Sequence, residues 1–303
     1  YPDMSAFRVG DVVSNQWDKA NIGYYSVAMG NNTKANNSTS FAVGNETTAS
    51  GGASTAMGNN TNASGDASTA SGISTVASGF ASNSMCGNTT AKGNYSVAMG
   101  INTVASSYAG FSIGRYNVGA GNATSWLATD PLFEIGNGTS SVAKNNAFTV
   151  LKNGRVGIGT SSPGAGLHLK GASFPESFMY IESNFGQDAG IRLYEGTTVK
   201  WHIFNNSALA GLQIYNNSGN NAIFCKQSNS FVGLGTTSPI QKLHVVGQAC
   251  KTEGGTAWAV SSDLRLKTVL GDYQKGLNEI IALQPVRFRY LENNPRHLSS
   301  DIE

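Results

Sequence analysis

Between about Tyr24 and Asn117 the chain keeps one 14-residue period through seven rows. Ala stands at 28, 42, 56, 70 and 98, with Ser84 and Ser112 in the two remaining places. Gly stands at 30, 44, 58, 72, 100 and 114, Cys86 fills the one gap, and Ser stands at 26, 40, 54, 68, 82 and 96. A second Ala column runs 35, 49, 63, 77, 91 and 105, followed two places on by Gly51, Gly65, Gly79 and Gly93. A period held this long marks a solenoid, in which identical units stack on one another.

The chemistry of one row narrows the choice. Alternate residues of a strand point to opposite faces, so Ser26, Ala28 and Gly30 share one face in every row. The other face carries Met29, Val43, Met57, Met85, Met99 and Ile113. A 14-residue coil holds two short strands and two tight turns, and its narrow interior admits only small side chains. The glycines are expected to supply the positive-φ positions of those turns. The larger apolar residues then form an outward stripe, which one chain cannot bury and which therefore reads as an interface. Helix is disfavoured, because Gly, Ser, Thr and Asn each cost helix stability relative to Ala. The expectation is a mostly β protein: a parallel β-roll associating along its length, most simply as a homotrimer.

The block YSVAMGNNTKANNSTSFAVGNETTASG resembles the head repeat of the YadA-type trimeric adhesins. The resemblance covers about a third of the chain. It implies a left-handed parallel β-roll in three copies, extracellular and elongated, and it points to a cell-surface receptor or glycan as partner.

Composition bounds the rest. The 303 residues are 13% charged with a formal net charge of +2, which gives no support for nucleic acid or an anionic membrane as partner. Length suggests two domains, and the strict register argues against disorder despite the polar composition. No run of about 18 apolar residues offers a membrane span. The sequence opens on Tyr1 rather than Met, so its amino terminus is expected to be processed or to lie upstream. Cys86, Cys225 and Cys250 are odd in number and widely spaced, which reads as buried thiols, with interchain pairing as the alternative. No zinc-type spacing accompanies them, and no cofactor or metal is expected. Candidate N-glycosylation acceptors are dense: Asn31, Asn37, Asn45, Asn60, Asn62, Asn88, Asn94, Asn122, Asn137, Asn205 and Asn216. They indicate either a glycosylated surface protein or chance triplets in an Asn/Ser/Thr-rich chain.

Residues 1–22 hold Phe7, Val9, Val12, Val13 and Trp17 ahead of the first row and read as a cap or the remnant of a shaft. After Asn117 the register stops and a phrase recurs. Val156-GIGTSSP-Gly164 leads to Leu167-His168-Leu169, and Val232-GLGTTSP-Ile240 leads to Leu243-His244-Val245. Two copies mean two small β modules, with short strands between Asn-Gly and Ser-Pro turns. The matching places of His168 and His244 favour packing over catalysis. A phosphate-loop reading of GIGT fails, since GxxxxGK[ST] is absent and no helix follows. The modules resemble the β-rich beads of phage and large-virus fibre proteins. The intervening pieces GIRLYE, VKWHIFN and AGLQIYN alternate as half-buried antiparallel strands.

From about Lys251 charges become frequent, and Leu277, Ile280, Ile281 and Leu283 give a helical apolar face that Pro285 stops. A strand is expected over 286–290. The phrase Ser261-Ser262-Asp263-Leu264-Arg265-Leu266-Lys267 and the following LxxIxxLxPVxFxY resemble the intramolecular chaperone of the S74 peptidase class. That domain ends viral tail fibres, and the sequence to Glu303 stops short of the GxIAQ-type helix and coiled coil that follow in the class. The resemblance implies a small α+β domain that cuts itself between Ser261 and Ser262. Ser262 is the nucleophile and Lys267 the base, with Asp263 and Arg265 in support. A hydroxyl needs such a base at neutral pH, and Lys serves once burial lowers its pKa. Desolvation in an assembled trimer would then couple the cut to correct winding, which slow interchain strand pairing makes useful.

The expected organisation is 1–22, cap or shaft remnant; 23–118, roll; 119–171, first β module; 172–247, second β module; and 248–303, the start of a chaperone domain. The function expected is a homotrimeric extracellular fibre, viral attachment or tail-fibre-like. The alternatives are a cellular trimeric adhesin and a subunit of a secreted or cell-surface filament. No external substrate is expected.

Overall fold

The computed structural model describes residues 1–171, 179–247 and 249. It divides into two compact units, Tyr1–Met179 and Tyr180–Glu303.

In the first unit each coil contributes a five-residue strand and a two-residue strand, beginning with Val27–Asn31 and Lys34–Ala35 and ending with Val97–Ile101 and Val104–Ala105. Successive long strands lie parallel in 14-residue register, as in Ala28↔Ala42 and Gly30↔Gly44. The short strands stack as a second, six-stranded parallel sheet. Coils of this kind form because every turn sits on an identical turn. Backbone groups then pair between coils, leaving no row of orphan amides except at the two ends.

The interior is as narrow as the alternation requires. Both Ala columns are fully buried, with Ala28 and Ala35 at 0% exposure. So is the Ser column that starts at Ser26. A further inward column that periodicity did not single out is Thr33, Thr47, Thr61, Thr75, Thr89 and Thr103. Its presence shows that each coil is two arcs of seven residues built alike. Ser26 answers to Thr33, Ala28 to Ala35, and the left-handed residue Tyr25 to the left-handed Asn32.

The turns correct one expectation. Their left-handed positions are held by Tyr25, Thr39, Ala53 and Ala67 on one side and by Asn32, Glu46, Asn60 and Ser74 on the other, not by glycine. An L-residue in this conformation costs about 1–2 kcal/mol. The stack offsets it with intercoil bonds such as Glu46 N–H to Asn31 O at 2.9 Å and Asn60 N–H to Asn45 O at 2.9 Å. The glycine column serves a different need. Gly44 has φ +129°, and a Cβ there would stand 2.0 Å from the carbonyl oxygen of Gly58. Cys86 occupies that column with φ 84°.

Both ends of the roll are closed. Phe7–Asp11 adds a strand ahead of the first coil, and Arg8 pairs in register with Ala28. Its guanidinium donates to Ser26 O at 3.0 Å, Ser26 Oγ at 2.8 Å and Ala35 O at 2.9 Å. The Trp17 indole N–H donates to Thr33 O at 3.0 Å. At the other end Pro131–Asn137 lies parallel to Phe111–Arg115, bringing Glu134 beside Ser112. The buried Glu134 carboxylate accepts from Asn117 Nδ2 and Asn146 Nδ2, both at 2.7 Å, and from Ser112 Oγ at 3.1 Å.

That same strand opens the first β module. Asn146–Leu151 and Val156–Ile158 follow antiparallel, and Leu167–Leu169 pairs parallel with the latter. The module and the roll's long strands therefore make one twelve-stranded sheet.

Among the described residues the second unit is a six-stranded sheet. Ala189–Glu195, Thr198–Asn206, Gly211–Asn216 and Asn221–Lys226 form an antiparallel meander. Val232–Leu234 adds antiparallel and Leu243–Val245 parallel, as in the first module. The recurring phrase folds the same way twice. His168 pairs with Gly157 and His244 with Gly233. A Cβ on Gly157 or Gly233 would meet the carbonyl oxygen of Thr160 or Thr236 at 2.4 and 2.3 Å.

Candidate interface on the twelve-stranded sheet

The outward residues of the long strands fall into two columns, because in-register parallel pairing places equivalent side chains directly above one another. One runs Phe7, Val27 and Phe41, continues through Thr55, Thr69 and Asn83, and resumes at Val97, Phe111 and Phe133. The other runs Val9, Met29, Val43, Met57, Ser71, Met85 and Met99, then Ile113 and Ile135.

The stripe does not stop where the 14-residue period stops. Phe133 pairs with Val150 and Ile135 with Phe148. These lead to Val156 and Ile158, then to Leu167 and Leu169. Aromatic rings carry it over the junction, with Phe111 and Phe133 centroids 5.5 Å apart and Phe133 and Phe148 6.0 Å apart. Twelve strands at the usual strand spacing make a stripe roughly 50 Å long, and two columns of side chains give it roughly 500 Å². Its members range from half-buried, as at Met29 and Phe133, to well exposed, with Phe7 at 54%, Ile158 at 45% and Leu167 at 55%. Ile101, one step outside the columns, is exposed too. The sequence showed the stripe within the repeat. Its extension through Phe7 and Val9 at one end and the first module at the other needed the pairing register.

The candidate glycosylation acceptors separate into groups. Asn60 is followed by Thr61-Asn62 and is not an acceptor triplet; the acceptor there is Asn59, and Asn36 also precedes a suitable Ser. Several of the triplets are consequences of the roll. Asn45 Nδ2 donates to Asn31 Oδ1 at 3.0 Å and Asn59 Nδ2 to Asn45 Oδ1 at 3.3 Å, an amide ladder between coils. Their third residues, Thr33, Thr47 and Thr61, lie in the buried Thr column, and Ser96, the third residue for Asn94, is buried too. Asn88 is exposed, beside a half-buried Thr90. Asn37, Asn62, Asn122 and Asn137 present both the acceptor and the hydroxyl residue at the surface. Asn205 is exposed beside a half-buried Ser207, and Asn216 is half-buried beside an exposed Ser218.

The thiols differ from expectation. Cys86 is exposed and Cys225 half-buried, because the Gly column that Cys86 enters lies at the outer end of the long strand. Ser261, Ser262, Asp263, Arg265 and Lys267, the helix expected over 273–283, the strand expected over 286–290 and Cys250 all lie outside the described residues. Among the described residues no helix is long and apolar enough to cross a membrane.

Comparison with family models matches residues 22–47, 49–75 and 88–116 to the YadA head domain repeat (2 copies). The curated proteins contain no match to the chain. The interval 76–87 between the second and third matches is the part of the roll in which Ser84 and Cys86 replace Ala and Gly. The matched coils of the roll are thus similar to the YadA head repeat, a β-roll of adhesin type.

Proposed function

We propose that the chain is a subunit of a homotrimeric extracellular fibre or adhesin, assembled along the outward columns of the twelve-stranded sheet. The observation that carries this reading is the contrast across a single strand. Ala56 is fully buried, while its neighbour Met57 stands 39% exposed in a stripe spanning all twelve strands. An interior of Ala, Ser and Thr buries little apolar area per residue, so a second source of burial is needed. Copies that close around an axis supply it without leaving an open end. The match to YadA head repeats supports three copies rather than two. Light scattering on the purified chain tests this. Three chain masses are expected, and Met99→Asp combined with Phe133→Asp should yield single chains that keep their β-sheet spectrum. A parent that runs as one chain overturns the proposal.

We further infer a viral attachment or tail-fibre-like protein whose carboxy-terminal domain assists winding and then cuts before Ser262. The support is the twice-used VG-[IL]-GT-x-SP module and the phrase Ser262-Asp263-x-Arg265-x-Lys267. In this scheme the Ser262 hydroxyl, deprotonated by Lys267, attacks the Ser261 carbonyl carbon; the peptide bond to the Ser262 nitrogen breaks as Lys267 returns the proton to that amine, and water hydrolyses the resulting ester to free the Ser261 carboxylate and the Ser262 hydroxyl. Intact-mass analysis of the chain expressed with its complete carboxy terminus should show a break between Ser261 and Ser262, abolished by Ser262→Ala. A single uncut mass rejects the dyad. It moves the assignment to a cellular surface adhesin or filament subunit with a retained domain, a reading the adhesin-repeat match already favours.

A further inference from the structure

We propose that the second unit holds a binding site for an acidic sugar, a pyranose bearing a carboxylate, in the cavity between Asp188, Arg192, His202, Phe204 and Tyr215.

The site is laid out by strand register. Arg192 pairs with His202, which pairs with Tyr215, so three side chains form a row across three strands on one face. Gly190 and Phe204 make the next row. The His202 and Tyr215 rings stack at 4.4 Å with 10° between their planes. Phe204 stands edge-on to Tyr215 at 5.5 Å. Gly190 has a reason to be glycine here: a Cβ would lie 2.1 Å from Phe204 Cβ and push the ring out of place. The resulting cavity measures about 460 Å³, within the range of small-ligand sites.

Its polar groups are few and of opposite sign. Asp188 Oδ1 accepts both the Ser207 N–H, at 2.8 Å, and the Ser207 hydroxyl, at 3.0 Å, which fixes the carboxylate at the rim. Among the described residues the Arg192 guanidinium makes neither an ion pair nor a hydrogen bond, and it is exposed. An uncommitted Arg matches a carboxylate with two parallel N–H···O bonds. The half-buried rings offer negative faces to the C–H groups of a pyranose. Asp188 is an acceptor for sugar hydroxyls. A polyphosphate or polyanion is disfavoured, since one Arg beside one Asp brings no net positive charge. A purely apolar ligand would leave both charges unused.

The opposite face of the sheet carries exposed Leu193, Trp201 and Leu212. Self-association would cover that apolar face and leave the ring-lined face open. The site does not depend on the trimer, and a chain of any oligomeric state can be assayed for it.

Saturation-transfer NMR on the full chain tests the proposal, with glucuronic acid and sialyllactose as probes and glucose and lactose as uncharged counterparts. Transfer to the acidic sugars is expected, with binding at least tenfold weaker in Arg192→Gln and in Tyr215→Ala. Arg192 is exposed, so that variant should keep the parent's circular dichroism and melting temperature. Absence of transfer to either acidic sugar in the parent overturns the site. Equal binding of lactose, unchanged in Arg192→Gln, overturns its acidic specificity.

Discussion

Arg8 and Glu134 stand at opposite ends of one inward column. Arg8 pairs with Ala28 and Glu134 with Ser112, and between them run only Ala42, Ala56, Ala70, Ser84 and Ala98. The column thus starts in a cation that donates to carbonyls of the first coil and ends in an anion that gathers donors from the last. A solenoid must satisfy the edge groups that its own repeat leaves unpaired. Here each end does so with one long charged side chain, in a position otherwise reserved for the smallest residues.

The two plugs should differ in weight. Glu134 is 2% exposed, and its removal would take one of the two acceptors from each of the Asn117 and Asn146 amides, leaving Val104 O and Thr149 Oγ1. Glu134→Ala should cost about 3 kcal/mol or more, as expected for several buried donors left unsatisfied. Arg8 is only half-buried, and Arg8→Ala should cost about 1 kcal/mol. Urea melts of the two variants check the ranking, and equal losses would show that Glu134 is not the principal seal.

Neighbouring substitutions should have opposite consequences. Ala56→Leu forces a large side chain into a column at 0% exposure and should destabilise the fold by about 3 kcal/mol. Met57→Ala, one residue away, should leave the single chain's melt within about 0.5 kcal/mol. Its effect should appear instead as weaker association at low protein concentration. Analytical ultracentrifugation beside thermal melts separates the two.

The glycine column offers a test in both directions. Gly58→Ala would put a Cβ 2.0 Å from Gly72 O at φ +122°, and should lower stability by about 3 kcal/mol or more. Cys86→Gly removes a left-handed side chain with φ 84° and should raise stability by up to about 1 kcal/mol. A lower melting temperature for Cys86→Gly would mean that the thiol contributes a contact worth more than its strain.

Lys152 links the end of the roll to pH. Its side chain is fully buried, with Nζ 3.9 Å from Asp130 Oδ2 and 4.9 Å from the Trp126 ring centroid. Burial holds its pKa below the usual 10.5, with Asp130 opposing more weakly. The unfolded chain therefore binds the proton more readily than the folded one just below that value. Stability from this group rises as pH climbs towards the ordinary Lys range. Melts at about pH 7 and about pH 9.5 should show the rise, and Lys152→Met should flatten it.

What the sequence alone determined was the coil. Its 14-residue register placed Ala28, Ala42 and Ser26 inside and Met29 and Met57 outside, because a stack of identical units pairs with itself and local alternation settles the faces. The Thr33 column and the left-handed Asn32 and Glu46 were written there too, at a seven-residue half-period masked by unlike residues doing like jobs. Only the tertiary structure decided the rest. Arg8 and Glu134 lie outside the period, so nothing local marks them as plugs; pairing with the first and last coils does. Phe133 and Phe148 join the stripe only because Pro131–Asn137 pairs with Phe111–Arg115. The ring-lined cavity likewise exists only because Arg192, His202 and Tyr215, far apart in the chain, fall into one row. Periodic structure is local information repeated, whereas ends, junctions and sites depend on which distant strands meet.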